Sequence, residues 1–323
     1  MFKYSTIVKR SVIEKEVLID HLVSLWKKIE YDLPPDVVQA LKNAWEKEET
    51  EFAKATFKLN LERLEYAKRN KVPFDGDTGR MNYYVLFSEE VLGEIRGGFR
   101  GLVEALNEAV LRATEEVPLR PNAEDPLTGF NPSTNVGGSF PNLNYRIVPN
   151  MDYLEVTAVA TGGGPMAMGN AYTTLKKSEG VRGIKRFILD TIIARNRGIS
   201  CTNQVVGVCI GGEVDTNMTT AQAAALLRPI GDRHPREDVR ILEEDILSAA
   251  NSLKIGPWGF GGNNTILDMH IEVAYTHPGL LPVGIHMTCP AIRRGTLCFY
   301  PDGKVLEIEN STWFKRLRWQ TPW

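Results

Sequence analysis

The sequence predicts a layered α/β (α+β) core preceded by a helical N-terminal region. Two observations support this fold class. In the first 116 residues, apolar side chains recur at three- and four-residue steps, the spacing of amphipathic helices. Beyond them, short runs rich in Val and Ile alternate with helical patterns, as in layered cores of strands and helices. We therefore expect a helical region at 1–116 and an α/β region at 117–323, with a soft boundary that is compatible with one domain.

The N-terminal region is predicted to be a series of helices. The first covers about residues 12–29 and ends at the prolines of 32–35. Residues 36–69 are rich in Ala, Glu, Lys and Leu and indicate one or two further helices. Pro and Gly interrupt the pattern at 72–79, and another helix is expected from about Glu89 to Thr114.

The second region begins with a segment without clear periodicity. Residues 117–148 contain five prolines and are predicted to be loop. Apolar runs then indicate strands, and because these runs show little polar alternation, we expect them to be buried on both faces. The strand-like runs are 153–160, 204–210, 269–276 and 282–288, and the helical patterns are 183–197, 220–227 and 236–253.

Composition and charge exclude several classes of protein. The chain has 323 residues, with 38 Lys+Arg against 40 Asp+Glu and a net charge of −2, so charge gives no reason to expect nucleic acid or an anionic membrane as partner. No run approaches the roughly 18 continuous apolar residues of a membrane span. The N-terminal residues lack the pattern of a secretory signal, so we expect a cytoplasmic protein with reduced cysteines.

Glycine and reactive residues concentrate in five loop segments at predicted strand ends. Such glycines let backbone approach a ligand and expose amides that bind anions, although any one cluster is more often an ordinary turn. The segments match neither a phosphate-binding P-loop nor a dinucleotide fingerprint. They fit a buried site for a small carboxylate or phosphate. The segments are 73–79, 162–164, 201–212, 255–262 and 277–294.

Together these segments resemble a known family. The run Asn251–Thr265, continuing through His277-Pro278, Cys289 and Arg293-Arg294, is similar to the α region of class I iron–sulfur fumarases and L(+)-tartrate dehydratases. The segments at 73–79, around Arg120, at 162–164 and at 201–212 resemble the same family in the same order, so the resemblance covers roughly residues 73–295. Considered alone, Arg293 and Arg294 are either a surface pair or an anion-binding pair.

The resemblance implies a [4Fe–4S] cluster held by three cysteines, with one iron left open as a Lewis acid. It assigns two ligands to Cys201 and Cys289. The third position is Asp75, where the family has Cys, and a carboxylate is a harder ligand than a thiolate. Three interpretations follow: Asp75 ligates the cluster, Cys209 substitutes for the missing thiolate, or the cluster is lost. Cys298 lies beyond the resembling block and is expected to be an inert thiol.

The resemblance also implies roles for other residues. It makes Asp77 and His277 catalytic residues. It makes Arg120, Gly163 and Gly164 substrate-binding, and also Gly76, which stands where the family has Gln. Thr161 stands where the family has Lys, and Pro165-Met166 stand where it has Ser-Glu. These losses point to altered substrate choice or lost activity.

The leading hypothesis is the α subunit of a hydro-lyase that adds water to, or removes it from, a hydroxy-dicarboxylate resembling fumarate, malate or tartrate. The rivals are a cluster-free, non-catalytic subunit of the same fold and a mononuclear metal enzyme using Asp75, Asp77 and His277. A β subunit is the expected partner, because the resembling block closes near Gly295 and the family continues with a β region. We expect the aromatic tail at 296–323 to form a subunit contact, alongside self-association into a dimer.

Overall fold

The computed structural model describes residues 12–164, 169–196 and 203–317. The helices are α1 Lys15–Tyr31, α2 Pro35–Lys47, α3 Glu51–Asn70, α4 Glu89–Gly93, α5 Gly98–Glu116, α6 Gly180–Arg195, α7 Val214–Leu227, α8 Glu237–Ser252 and α9 Trp313–Leu317. The strands are β1 Arg80–Phe87, β2 Asn142–Ile147, β3 Leu154–Thr161, β4 Asn170–Lys176, β5 Gln204–Ile210, β6 Ile266–Val273, β7 Leu280–Thr288, β8 Arg293–Phe299 and β9 Val305–Ile308. Among the described helices, none is long and apolar enough to cross a membrane.

The first sheet has five strands in the order β2-β1-β3-β8-β9. Only β1 and β2 are parallel, and it combines strands from both sides of residue 116. Arg80 at the start of β1 pairs with Thr161 at the end of β3, and Ala160 pairs with Arg293 at the start of β8. Three strand ends therefore meet at one end of the sheet. Its outer face packs against α1 and α5.

The second sheet has four strands in the order β4-β7-β5-β6. Strand β7 runs antiparallel to both neighbours, and Val205 of β5 pairs with Thr288 of β7. The strands β5 and β7 are almost wholly buried, as their unbroken apolar runs predict. Helices α6 and α8 cover the outer face of this sheet.

Helix α7 lies between the two sheets. Its alanines and leucines pack on Tyr84 and Leu86 of β1 and on Val159 of β3. On the other side it lies so close to β5 that a Cβ on Gly207 would overlap the Ala221 carbonyl. Glycine at 207 is therefore required for the sheet to approach the helix.

Gly207→Ala should lower the free energy of unfolding by about 1–3 kcal/mol, because the added methyl group forces helix and sheet apart. Gly93→Ala is the matched control, since a Cβ there meets no atom within 4 Å. Urea denaturation of both variants provides the measurement. Equal stability of the two variants would contradict the close packing of α7 on β5.

The predicted fold class is confirmed, with helices first and a layered α/β core after them. Strand β5 has the predicted bounds, 204–210. The single helix expected at 89–114 is instead broken into α4 and α5, because Gly97 and Gly98, at the start of α5, adopt positive φ angles. The segment predicted as loop at 117–148 contains β2. Strands β1, β4, β8 and β9 were not predicted.

Three aromatic residues of the C-terminal tail, expected at a subunit contact, pack inside this chain. Phe299, Trp313 and Phe314 are buried within this chain, and the Trp313 ring packs edge-on to Tyr84 at 5.2 Å. The alternative, that the tail packs on its own chain, is correct for these three residues. Residues 318–323, which include two further tryptophans, lie outside the described part of the chain.

Candidate active site

The loop that precedes β1 forms a turn carrying two carboxylates. The Phe74 N–H donates to the Glu30 carbonyl of α1 over 2.8 Å. The Asp77 N–H donates to the Asp75 side chain over 3.1 Å, a local bond that short Asp side chains favour in turns. Gly76, between them, is exposed and has no atom within 4 Å of the position that a Cβ would take. The turn thus presents Asp75 and Asp77 with open space beside them.

The Asp77 side chain joins this turn to two other predicted site segments. Its Oδ1 accepts a hydrogen bond from Asn122 Nδ2 at 3.1 Å, and its Oδ2 accepts one from the Gly163 N–H at 2.7 Å. A Cβ on Gly162 would lie 3.2 Å from Oδ2, so a side chain there would crowd the carboxylate. A carboxylate has about four acceptor positions, which leaves Asp77 able to accept further protons or hydrogen bonds.

Arg120 is fixed by its backbone while its side chain is exposed. Its N–H donates to Thr78 Oγ1 at 2.9 Å, and its carbonyl accepts from Asn135 Nδ2 at 3.1 Å. The proline-rich loop is therefore anchored directly to the turn at 74–79. The structure brings Asp77, Gly163 and Arg120 together, although they are far apart in the sequence.

Asp75 and Cys289 line one cavity of about 390 Å³. The remaining lining residues come from α2, from α3 and from loops, and they are Leu41, Phe52, Thr56, Leu59, Asn60, Arg63, Phe74, Trp258, Pro290 and Ala291. Cys289 directly follows β7 and is buried. Thiolate and carboxylate are both metal ligands, so the donor types in this cavity fit an iron site.

A buried ion pair between Arg293 and Glu30 contacts the backbone of this turn. Arg293 Nη1 donates to Glu30 Oε2 at 2.7 Å, and Nη2 donates to the Asp77 carbonyl at 3.1 Å. Burial raises the pKa of Glu30 to about 7, the charge of Arg293 opposes this rise, and Asp75 and Asp77 add to it. Arg293 also interacts electrostatically with Asp75 and Cys289, so its positive charge acts on the cavity that these two residues line.

Arg294 is also paired within the chain, through Nη2 to Asp36 Oδ2 at 2.6 Å. Both arginines are buried, so the interpretation of Arg293 and Arg294 as a surface pair is wrong. Their charges balance carboxylates of α1 and α2 instead.

Cys201 lies outside the described residues. The described chain resumes at Asn203, and the register of β5 against β7 pairs Val205 with Thr288, next to Cys289. Within 12–164, 169–196 and 203–317, no three His, Cys, Asp or Glu side chains are grouped as metal ligands.

Cys209 lies at the far end of β5 from Cys289. It pairs with Gly284, so about 13 Å of strand separates it from the level of Thr288. Its thiol is completely buried, and burial, with a contribution from Glu272, raises its pKa to about 12. This position argues against Cys209 as the substitute ligand. Cys298, on β8, is also a buried thiol.

His277 lies in the turn between β6 and β7 and is exposed. Its Nδ1 accepts a hydrogen bond from the Gly279 N–H at 3.2 Å. From Leu280, where β7 begins, to Cys289 the strand covers about 30 Å. The structure therefore places His277 at the opposite end of the second sheet from the Asp75–Cys289 cavity.

Comparison with known proteins decides the family. The family profile described as fumarate hydratase (Fumerase) matches residues 19–297, which is most of the chain. The chain belongs to the fumarate hydratase family. This confirms the family predicted from the sequence.

Curated relatives carry related names. The chain is 39% identical to a putative L(+)-tartrate dehydratase subunit alpha of Methanocaldococcus jannaschii over 287 residues, which are 88% of this chain and 99% of that protein. It is 33% identical to the L(+)-tartrate dehydratase subunit alpha of Escherichia coli K12 over 282 residues, which are 86% of this chain and 88% of that protein.

Sequence reasoning missed three residues in this fumarate hydratase-family site. Glu30 and Arg80 lie outside the glycine-rich segments, and their importance depends on burial that no local pattern reports. Asn135 is buried, adopts a positive φ of 54° and links Arg120 to Thr114. The density of Asn and Gly in 129–144 was the only local signal for this last residue.

Proposed function

We propose that this chain is the α subunit of an iron–sulfur hydro-lyase that adds water to, or removes it from, a small hydroxy-dicarboxylate resembling malate or tartrate. One observation supports this most strongly: three distant loops meet at Asp77, beside a cavity lined by Asp75 and Cys289. Membership of the fumarate hydratase family and the names of the relatives agree with it. A reduced cytoplasmic setting would keep the cysteines available as thiolates.

Asp75, Cys201 and Cys289 are the residues proposed to hold a [4Fe–4S] cluster. Asp75 and Cys289 line the same cavity, which supports them as a pair of donors. When bound, the cluster would supply a Lewis-acidic iron that weakens the bond between the substrate carbon and its hydroxyl. Hydration requires the same site to work in the reverse direction.

The chain's own residues would handle the proton and the carboxylates. Asp77 is held by Asn122 and Gly163, so its remaining acceptor positions have a fixed direction in which to take the proton from the adjacent carbon. Arg120 has an exposed guanidinium available to a carboxylate. In this arrangement Gly163 orients Asp77 with its amide, while Gly76 and Gly164 give substrate close access to backbone.

His277 is proposed to act in the active site of a second copy of the chain. The resemblance makes it a site residue, yet β7 separates it from Cys289 by about 30 Å within one chain. A symmetric dimer would satisfy both observations. The β subunit is proposed as the second partner, which supplies further substrate-binding residues.

Anaerobic co-expression with a β-type subunit tests this function. The complex should interconvert fumarate and malate, or dehydrate tartrate, and Cys289→Ser should abolish turnover together with iron binding. Cys298→Ser is the matched control, because this buried thiol lies on β8 outside the proposed site, and it should leave both properties intact.

Three results would contradict the proposal in different ways. Unchanged iron in Cys289→Ser would remove this residue as a ligand. A colourless complex with one divalent metal would favour the mononuclear enzyme. A metal-free complex without turnover would favour the non-catalytic subunit.

A further inference from the structure

We propose that Arg80 binds a carboxylate of the substrate and that His286, on the facing sheet, accepts a hydrogen bond from the adjacent hydroxyl. This inference rests on the proposed function for the class of ligand, a hydroxy-dicarboxylate. Arg80 lies just after the segment at 73–79, and His286 lies within 277–294, but the resemblance assigns a role to neither residue.

Arg80 lies beside the Asp77 turn and is directed into the protein. It is the first residue of β1 and pairs with Thr161, which directly precedes Gly162 and Gly163. Alternate residues of β1 share a face, and Tyr84 of this set packs against α7. Arg80 therefore faces the space between the two sheets, at the end where the site loops converge.

Arg80 is partly buried and, unlike the fully buried arginines, has no carboxylate partner among the described residues. Three others have one: Arg228 pairs with Glu243, Arg293 with Glu30 and Arg294 with Asp36, at 2.6–2.7 Å. Arg80 Nε is buried and, among the described residues, makes no hydrogen bond. The segments outside the described residues, 1–11, 165–168, 197–202 and 318–323, contain no Asp or Glu.

A guanidinium that is partly withdrawn from water and has no carboxylate partner is well placed to pair with an anion from outside the chain. Burial lowers the pKa of Arg80, yet the guanidinium of arginine stays protonated in proteins. A carboxylate is the anion whose two oxygens match the planar guanidinium. The position of Arg80, three residues after Asp77, puts such a carboxylate at the proposed active site.

His286 supplies a hydrogen-bond acceptor within electrostatic reach of this cation. It lies on β7 and is buried, and its Nδ1 is 2.8 Å from Asn170 Oδ1. Because the amide oxygen only accepts, Nδ1 carries the proton and Nε2 keeps a lone pair. Nε2 is buried without a hydrogen-bond partner in the described part of the chain. Burial, with the charge of Arg80, lowers the pKa of His286 to about 3, so the ring is neutral.

Arg80 and His286 together match the carboxylate and the hydroxyl of a 2-hydroxy acid. Strand alternation puts His286 and Thr288 on the same face of β7 as Gly284, which contacts α7, so His286 also faces the space between the sheets. His286 lies three residues, about 10 Å of strand, from Cys289. A 2-hydroxy acid carries its hydroxyl on the carbon next to the carboxylate, so a cation beside a neutral acceptor matches both groups.

Malonate and hydroxymalonate are suitable probes, since they differ by one hydroxyl and neither can be dehydrated. Calorimetry on the full α–β complex should show Arg80→Gln weakening both ligands by about 10- to 100-fold, as expected for a lost charged hydrogen bond. His286→Phe should weaken hydroxymalonate alone, by about 3- to 10-fold. Arg80→Lys keeps the charge and should retain part of the affinity. Arg100→Gln, at an exposed position of α5, is the control and should bind like the wild type.

Thermal melting separates binding from a structural role. Without ligand, Arg80→Gln should melt at the wild-type temperature or a few degrees higher, since it removes a partly buried charge that has no carboxylate partner. A lower melting temperature, or wild-type affinity for both ligands, would overturn the role of Arg80, even in a complex with full turnover. Equal weakening of both ligands by His286→Phe would overturn the role of His286. A wild-type complex that binds neither ligand would overturn the substrate class and this inference together.

Discussion

An Arg293→Met variant is expected to lose about 3–5 kcal/mol of unfolding free energy, which is the usual cost of removing one partner from a buried ion pair. Arg293 and Glu30 are both 0% exposed, so the lone Glu30 carboxylate would stay in the interior without its partner. Arg293 also donates to the Asp77 carbonyl, so the variant should lose order in the active-site turn as well.

The loss should depend on pH in a defined direction. Burial raises the pKa of Glu30 above its usual 4.5 to about 7 even beside Arg293, and the variant removes the opposing charge. A raised carboxyl pKa stabilises the fold at low pH, and this stabilisation is lost as the pH rises through the folded-state value. Urea denaturation should therefore show a smaller deficit at pH 5 than at pH 8.

The double variant Arg293→Met/Glu30→Gln provides the control for the ion pair. It removes both charges and should be more stable than Arg293→Met alone. The single variant Glu30→Gln completes the comparison. If the losses of Arg293→Met and Glu30→Gln add up to the loss of the double variant, the two residues do not interact. That result, or a stability deficit of Arg293→Met that grows towards low pH, would contradict the buried pair.

Asp77→Asn in the α–β complex should reduce turnover by about 10²- to 10⁴-fold, the usual contribution of a group that transfers a proton. Asparagine keeps one oxygen for Asn122 or Gly163, so the turn should persist with one hydrogen bond fewer. Asn122→Ala removes one of the same hydrogen bonds and leaves the carboxylate. It should be far less damaging to turnover, and equal losses in the two variants would assign Asp77 a structural role.

Asp77→Asn also tests the proposal that His277 acts in the active site of a second copy of the chain. His277→Asn alone should also be inactive, because every site in its dimer lacks the histidine. When the two inactive variants are co-expressed, a mixed dimer holds one intact site, so about a quarter of the wild-type rate should return. No recovery in verified mixed dimers would show that Asp77 and His277 do not act across the dimer.

The elements that the sequence predicted well are those whose signal is local. Strand β5 was predicted with its observed bounds because a continuous apolar run, Gln204–Ile210, ends at two glycines. Strand β8 was missed because it opens with Arg293 and Arg294, which look like surface residues. Their partners are Glu30 and Asp36, more than 250 positions away in the sequence. A pairing of that length leaves no trace in local periodicity.

In the candidate site, too, some features could be predicted from the sequence and others depended on contacts between distant residues. The resemblance anticipated that the loops carrying Asp77, Arg120 and Gly163 belong together, and the hydrogen bonds of Asp77 join them. It did not predict that His277 lies at the other end of β7. The sequence alone could not single out Arg80, because an arginine is unusual only once its buried Nε and its missing partner are known.

The most direct measurement is the iron and acid-labile sulfide content of the anaerobically purified α–β complex. A [4Fe–4S] cluster held by Asp75, Cys201 and Cys289 predicts about four iron and four sulfide per α chain, with broad absorbance near 400 nm. Asp75→Cys restores the family's ligand and should keep this stoichiometry, while Asp75→Ala should lower it. A colourless complex, with one metal ion or none per chain and no sulfide, would contradict the iron–sulfur site.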